Sequence, residues 1–166
     1  VQKQTYSQWE LCLADGSDDE HSDVGKIVKE YADADNRIKY KVLEENGGIS
    51  ENTNACIDMS SGDYIVLFDH DDMLHESALY EIRKAIDDKN ADFIYTDEAI
   101  FSTDYRKPDS YHLKTDFAID DLRSNNYICH ISCFSRELLE KAGKFRKEFD
   151  GSQDFDIILR LTEKAE

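Results

Sequence analysis

The chain has 166 residues, 40% of them apolar and one a proline, and a formal charge of −17 at pH 7. That length and composition fit one folded α/β-sized domain with a single sizeable core and exclude a disordered segment. The acidic surplus argues against a nucleic-acid backbone or an anionic membrane surface as partner, since both demand a Lys/Arg excess; a small polyanion stays open if a metal ion or local cations neutralise it.

In chain order, short apolar runs alternate with helical patterns, the mark of an α/β domain with a largely parallel sheet. Trp9 to Ala14 reads as a strand ended by Asp15-Gly16-Ser17-Asp18. A helix is predicted over about 21–34, with Val24, Ile27, Val28 and Tyr31 on one stripe. Ile38 to Leu43 is a second strand, Asn46-Gly47-Gly48 a loop, and Ser50 the expected N-cap of a helix running to about Ser60. Tyr64-Ile65-Val66-Leu67-Phe68 is continuously apolar, as a central strand buried on both faces should be. Ala78, Leu79, Ile82, Ala85 and Ile86 mark an amphipathic helix. Ala91 to Thr96 is the next strand, and 103–115 reads as a long surface loop. Tyr127 to Phe134 is another strand, Glu137 to Ala142 a short helix stopped at Gly143, and a last helix from about Gln153 should bury Phe155, Ile158 and Leu159. No linker interrupts 1–166, so one domain is expected.

Cys12, Cys56, Cys129 and Cys133 make no Cys-x-x-Cys pair and no zinc spacing, and each has apolar neighbours; reduced, buried thiols of a cytoplasmic protein are expected. No apolar run approaches the ~20 residues of a bilayer span, and no secretory leader is legible. The chain opens Val1-Gln2-Lys3-Gln4 without Met, so it reads as a piece of something longer, with any membrane association expected through parts outside it.

The chemistry concentrates at Asp69-His70-Asp71-Asp72. In an extended strand, Asp69 and Asp71 would share one face about 6–7 Å apart, at the sheet edge where open α/β folds bind ligands. Like charges this close call for a cation, and Mg²⁺ or Mn²⁺ would complete its shell with diphosphate oxygens and water. The alternative is an acidic turn whose only work is capping. Asp15 can accept from a base or ribose, or can form an Asx turn with Gly16. Asn46-Gly47-Gly48 can bring N–H groups to a ligand, or be a plain turn. Asp154 can serve as a general base for an acceptor hydroxyl, or as a helix-start carboxylate.

Four segments, Trp9 to Ser17, Asn46 to Asn54, Ser61 to Asp72 and Gly151 to Arg160, together resemble the family 2 glycosyltransferases, closest to bacterial members that build rhamnose-rich or O-antigen-like surface polysaccharides. The resemblance implies a GT-A (Rossmann-like) fold and inverting transfer of a sugar from a nucleoside diphosphate donor, of UDP or dTDP type, to a saccharide or lipid-linked acceptor. It implies Mn²⁺ or Mg²⁺ held by Asp71 with Asp69, nucleotide-sugar contacts from Asp15, Gly48, Asn54 and Asp69, and Asp154 as catalytic base. Arg160 is either structural or a support for Asp154. His130 looks similar to a His flanking the acceptor cleft, or is a satisfied core residue. A cytoplasmic location, peripheral at the inner membrane face, would follow. The family's opening strand and base-holding loop have no counterpart here, so an amino-terminally truncated domain is implied, with Val1 to Tyr6 as the tail of its first helix. Ala14 also stands where the family usually has a second Asp. The alternative is a non-catalytic fragment with weak or no donor binding. A phosphoacceptor enzyme using Asp69 lacks a suitable Lys, and a carbohydrate-binding module would need Trp9 exposed.

Overall fold

The computed structural model describes residues 1–165. The first half is β1 (Leu11–Asp15), a 3-10 turn at Asp19–His21, α1 (Ser22–Ala34), β2 (Ile38–Val42), α2 (Ile49–Met59) and β3 (Tyr64–Val66). The second half is α3 (Ala78–Lys89), β4 (Phe93–Tyr95), β5 (Glu98–Ile100), β6 (Ser110–His112), α4 (Ile119–Ser124), β7 (Ser132–Ser135), α5 (Arg136–Ala142), a 3-10 turn at Lys147–Phe149 and α6 (Gln153–Thr162).

β1 and β2 pair in parallel, while β3 and β4 flank β7 and both run antiparallel to it. The expected mostly parallel sheet is therefore mixed. The chain enters β7 at the end where β3 and β4 finish, so residues preceding β7 share an edge with residues following β3 and β4.

Side chains alternate across the β3–β7–β4 sheet and divide the interior in two. Ile65, Leu67, Phe93, Tyr95 and Phe134 join the larger core under α5 and α6, with Leu122, Leu138, Ile157, Ile158 and Leu161. Tyr64, Val66, Phe68, Ile94 and Cys133 face the other way onto Leu79, Ile82 and Ile86 of α3. Both faces of β3 are covered, as its unbroken apolar sequence demands. On α6 the fully buried positions are Ile157, Ile158 and Leu161, with the expected Phe155 and Leu159 packed at the margin.

Several expectations are corrected. The strand expected from Tyr127 is extended only over Ser132–Ser135. Before it, Cys129 has a left-handed φ of 42° and the chain bonds locally, Cys129 Sγ to Asn126 O and Ser132 Oγ to Cys129 O. The surface loop at 103–115 contains one arm of the antiparallel β5–β6 hairpin, in which the β-prone Tyr111 pairs with Ala99. Ser50 does not cap α2; Gly48 occupies that position and Ser50 is buried in the first turn. Val1 to Tyr6 is not helical, since a stub this short cannot offset helix nucleation. Its polar groups bond to the start of α3 instead: Gln4 Nε2 to His75 O (2.6 Å), Leu79 N to Gln4 Oε1 (2.9 Å) and Thr5 N to Glu76 O (2.8 Å). The stripe Val24, Ile27 and Tyr31 on α1 is exposed. The Trp9 ring is covered by the Arg37 guanidinium, 3.8 Å from its centroid, so it offers no open sugar platform.

The four thiols are free, as expected, and burial pushes Cys12 up to about 11 and Cys133 up to about 12.

β1 and β3 lie in separate sheets, and Glu10 ties their starting ends together. One carboxylate oxygen accepts from the main-chain N–H groups of Ser61 and Gly62 (2.9 Å for Gly62), and the other from Ser61 Oγ (3.0 Å); Lys39 pairs with the same group. Burial alone would raise this acid, but Lys39 and the three donors outweigh it and bring the carboxyl down to about 2. A carboxylate so lowered contributes stability in full above its ordinary value of 4.5 and loses that contribution as pH falls toward 2. Glu10→Gln should cost about 1–3 kcal/mol at neutral pH. It should also flatten the wild-type loss of stability between those two pH values, as urea titrations at stepped pH would report.

Candidate functional site

The loops that follow the strands converge through specific contacts. After β1, Asp15 Oδ1 accepts from Ser17 N (2.9 Å), closing an Asx turn, and Oδ2 accepts from the Tyr40 hydroxyl. The bonds from Ser17 and Tyr40 lower the Asp15 carboxyl, and Asp15 in turn pushes the Tyr40 phenol up to about 12. Gly25 in α1 makes room for that phenol, whose oxygen would lie 2.7 Å from a Cβ there. Gly16 backs onto Asn46, whose Cβ would stand 3.2 Å from one added to Gly16.

In the loop after β2, Gly47 N donates to Asn52 Oδ1 (3.2 Å) and Gly48 N to Asn46 Oδ1 (3.1 Å). Both N–H groups are spent inside a plain turn. Gly48 has φ +92°, and a Cβ there would sit 2.6 Å from Asp150 Oδ2. That closeness has a purpose: Asp150 Oδ1 accepts from Ser50 N (3.2 Å) and caps α2 from across the molecule. The Asn54 amide is also committed, donating to Phe145 O (2.9 Å) and accepting from Phe145 N (3.0 Å). Gly48 and Asn54 thus pin the 145–150 segment to α2.

The acidic run after β3 is not extended. The strand stops at Val66, and Asp72 N donates back to Asp69 O (3.3 Å) across a turn. In an extended strand, positions two apart meet; in a turn, the first and fourth positions do. The expected Asp69–Asp71 pair is accordingly replaced by Asp69 and Asp72, joined by His130. His130 Nδ1 lies 3.8 Å from Asp69 Oδ2 and 3.9 Å from Asp72 Oδ2. One ligand atom from each of the three falls within 4.8 Å of the others, all three residues are solvent-exposed, and Asp71 joins no such group among the described residues. His130 comes from the irregular segment before β7, neither a strand position nor a core one. The strand directions bring them together: Val66 pairs with Cys133 and Leu67 N donates to Ser132 O (3.0 Å), so the chain leaving β3 and the chain entering β7 meet at one end of the sheet.

Asp154, in the first turn of α6, joins this group electrostatically. Desolvation and then the Asp69 charge raise its carboxyl above the usual range, while His130 and the Gln153 amide (2.9 Å) pull it back. Arg160 gives Asp154 no support. Its guanidinium holds Asp156 (2.7 Å) and the carbonyls of Ala142, Gly143 and Lys144, a structural role.

Sequence reasoning missed Lys114. Its side chain is 1% exposed, and its ammonium donates to the carbonyls of Ile128 and His130. Asp72 stands in the sequence only as the last member of the acidic run, and nothing local marks it as the partner of Asp69.

Two carboxylates and an imidazole within reach of one point could hold a divalent cation, and the raised Asp154 carboxyl lies beside them. Residues 1–143 match the family described as Glycosyl transferase family 2, and the chain belongs to that family. The Sinorhizobium fredii protein y4gI is 38% identical over 167 residues, 100% of this chain and 18% of its own length. The O-antigen biosynthesis protein RfbC of Myxococcus xanthus is 31% identical over 98% of this chain and 13% of its own. The chain therefore spans less than a fifth of the length of either relative. Among solved structures, Staphylococcus aureus TarS 1-349 in complex with UDP has a TM-score of 0.71 at 18% identity, covering 98% of this chain and 48% of that one. The Pyrobaculum calidifontis mannosyltransferase PcManGT, in complex with GDP-Man and Mn²⁺, has a TM-score of 0.66 at 20% identity, covering 96% and 45%. These likenesses establish the GT-A class of fold expected from the sequence. Among the described residues, no helix is long and apolar enough to cross a membrane.

Gly48→Ala should destabilise the fold by about 1–3 kcal/mol through the backbone position alone, with the Asp150 contact adding to it. In an Asp150→Ala background the added part should vanish and the backbone part persist, a difference that a double-mutant cycle of urea unfolding would measure.

Proposed function

We propose that this chain is a glycosyltransferase domain moving a sugar from a nucleoside diphosphate sugar to a saccharide or lipid-linked hydroxyl, with inversion, in bacterial surface-polysaccharide synthesis. The observation that carries the reading is the Asp69–Asp72–His130 cluster beside the raised carboxyl of Asp154. Membership of family 2, the O-antigen name of one relative and the UDP and GDP-Man complexes of the fold neighbours support it.

Asp69, Asp72 and His130 would hold the cation. A set of two carboxylates and one imidazole suits Mn²⁺ better than Mg²⁺, which prefers oxygen throughout. Bound there, the ion would supply Lewis-acid stabilisation to the departing diphosphate. Asp71, turned out of the cluster, is left for donor oxygens or water. Asp15 would meet the nucleotide at its free lone pairs, and Gly48 and Asn54 would shape the donor wall rather than touch the ligand. Asp154 would accept the acceptor hydroxyl proton as that oxygen attacks the anomeric carbon and the bond to diphosphate breaks. A carboxylate raised by desolvation is a stronger base than one in water, which suits this work. His130 would face the acceptor as well as the ion. Residues 1–166 would act as one catalytic domain on the cytoplasmic side, peripheral to the membrane through other parts of the protein.

In the enzyme carrying this domain, Asp154→Asn should lower turnover by about 10²–10⁴-fold while donor binding persists. Asp69→Asn should weaken Mn²⁺ binding and turnover together. A panel of nucleotide sugars with nucleoside diphosphate release as readout, with and without Mn²⁺, measures both; wild-type turnover in Asp154→Asn would remove the base from the scheme.

A second reading has its own observation. The β1–β2 pair and the β3–β7–β4 sheet share no backbone ladder. On that reading these 166 residues alone bind donor weakly or not at all. Calorimetry with UDP and Mn²⁺ on this chain separates the two, since heat from 166 residues would dismiss the weaker reading.

A further inference from the structure

His130 reaches the carboxylates from a segment with almost no ladder of its own. Between Tyr127 and Ile131 the supports are local or weak: Cys129 N to Asn126 Oδ1 at 3.4 Å, and Ile131 N to Thr96 Oγ1 at 3.5 Å. Tyr127, Ile128 and Ile131 anchor the segment by packing into the two cores, and a cation fixes its carbonyls. The Lys114 ammonium donates to the carbonyls of Ile128 and His130, two positions apart, so both oxygens turn toward one nitrogen. The third ammonium proton faces Glu98, whose Oε1 is 4.0 Å away.

Lys114 is itself anchored on both sides. Its main-chain N donates to Asp97 Oδ1 (2.7 Å), just past β4, and the Tyr95 hydroxyl donates to Thr115 O (2.7 Å). Glu98 is held in turn by His112 Nδ1 at 2.6 Å. A long, flexible side chain therefore starts from a fixed backbone and ends in a closed socket, at 1% exposure. Such burial of an ammonium is costly unless its protons are used, and here two go to carbonyls that accept no other hydrogen bond among the described residues.

We infer that Lys114 is the positioning residue of the site: by clamping the Ile128 and His130 carbonyls it holds the imidazole against Asp69 and Asp72. Its part in metal binding rests on the proposed function, while its hold on His130 does not. Lys114 touches neither donor nor acceptor in this scheme and acts through His130 alone.

The test begins without metal. In the 166-residue chain, His130 ring resonances labelled with ¹³C and ¹⁵N should form one sharp set in wild type. That set should broaden or shift to exposed-histidine positions in Lys114→Met, and return in Lys114→Arg. Asp97→Ala, which frees the backbone but keeps the ammonium, should give a partial loss, and it serves if Lys114→Met does not fold. An unchanged His130 ring in a folded Lys114→Met or in Asp97→Ala overturns the inference.

Mn²⁺ binding, read by electron paramagnetic resonance, is the second arm. Lys114→Met should weaken it about 10–100-fold, the effect usual for a residue that orients a ligand. Glu10→Gln, destabilised far from the site, should leave it unchanged. Equal weakening in Glu10→Gln and Lys114→Met would mean general loosening and overturn the positioning role. Failure of wild type to bind Mn²⁺ would count against the metal reading alone, with the ring resonances still deciding for or against Lys114.

Discussion

The constraint on which this molecule turns is the antiparallel entry of β7 between β3 and β4. Because β7 pairs Cys133 with Val66, the residues leading into it run back alongside those leaving β3. His130 and Asp69 are thereby brought to the same end of the sheet, just past the Leu67 N to Ser132 O bond. In a parallel sheet the same edge would collect only residues that follow strands. The reversed strand adds one that precedes it, and a histidine enters a group of carboxylates.

That group depends on the rest of the fold for its steadiness. The β3–β7–β4 sheet is packed on both faces, by α3 on one side and α5 and α6 on the other, so the ends of its strands have little freedom. α6 is rooted by buried Ile157, Ile158 and Leu161, which fixes Asp154 in its first turn. The outer loops are joined by smaller devices: Gly16 against Asn46, Gly48 against Asp150, and Asn54 on Phe145. The glycine at 48 serves the Asp150 cap of α2, and the helix it begins packs on β1. Side chains do between the two sheets what a shared ladder would otherwise do, with Glu10 at one end and this loop contact at the other.

Much of this was legible in the sequence. Periodicity located α1, α3, α6 and the central strand, because each carries one or two apolar faces in its sequence. The four matching segments carried family and fold. What was hidden shares a cause: it depends on which elements become neighbours. Asp69 and Asp71 look paired in an extended strand, and only the turn at Asp72 N to Asp69 O exchanges Asp71 for Asp72. Asn54 and Gly48 sit in a segment that matches the family pattern, yet their partners are Phe145 and Asp150, far along the chain in both cases. The α1 stripe was recognised as apolar, but amphipathicity says a face is suited to burial and says nothing about what covers it.

The electrostatics of the site follow from the same placement. Asp69, Asp72 and Asp154 lie close enough for the Asp69 charge to raise Asp154, in a chain already at −17. Such a group is a strained collection of like charges on its own account. Lys114 is turned toward main-chain oxygens and paired across to Glu98, so it neutralises none of the three directly. His130 is the imidazole that joins Asp69 and Asp72, and it does so from a segment whose carbonyls Lys114 holds. A site left this acidic, open to solvent and backed by a rigid sheet is suited to admit a divalent ion together with an anionic ligand. On the proposed function the ion would relieve the carboxylates and the ligand's phosphates would complete the ion, so that neither would be well bound alone. Asp154, raised by desolvation and then by the Asp69 charge, would serve as the base on that same reading.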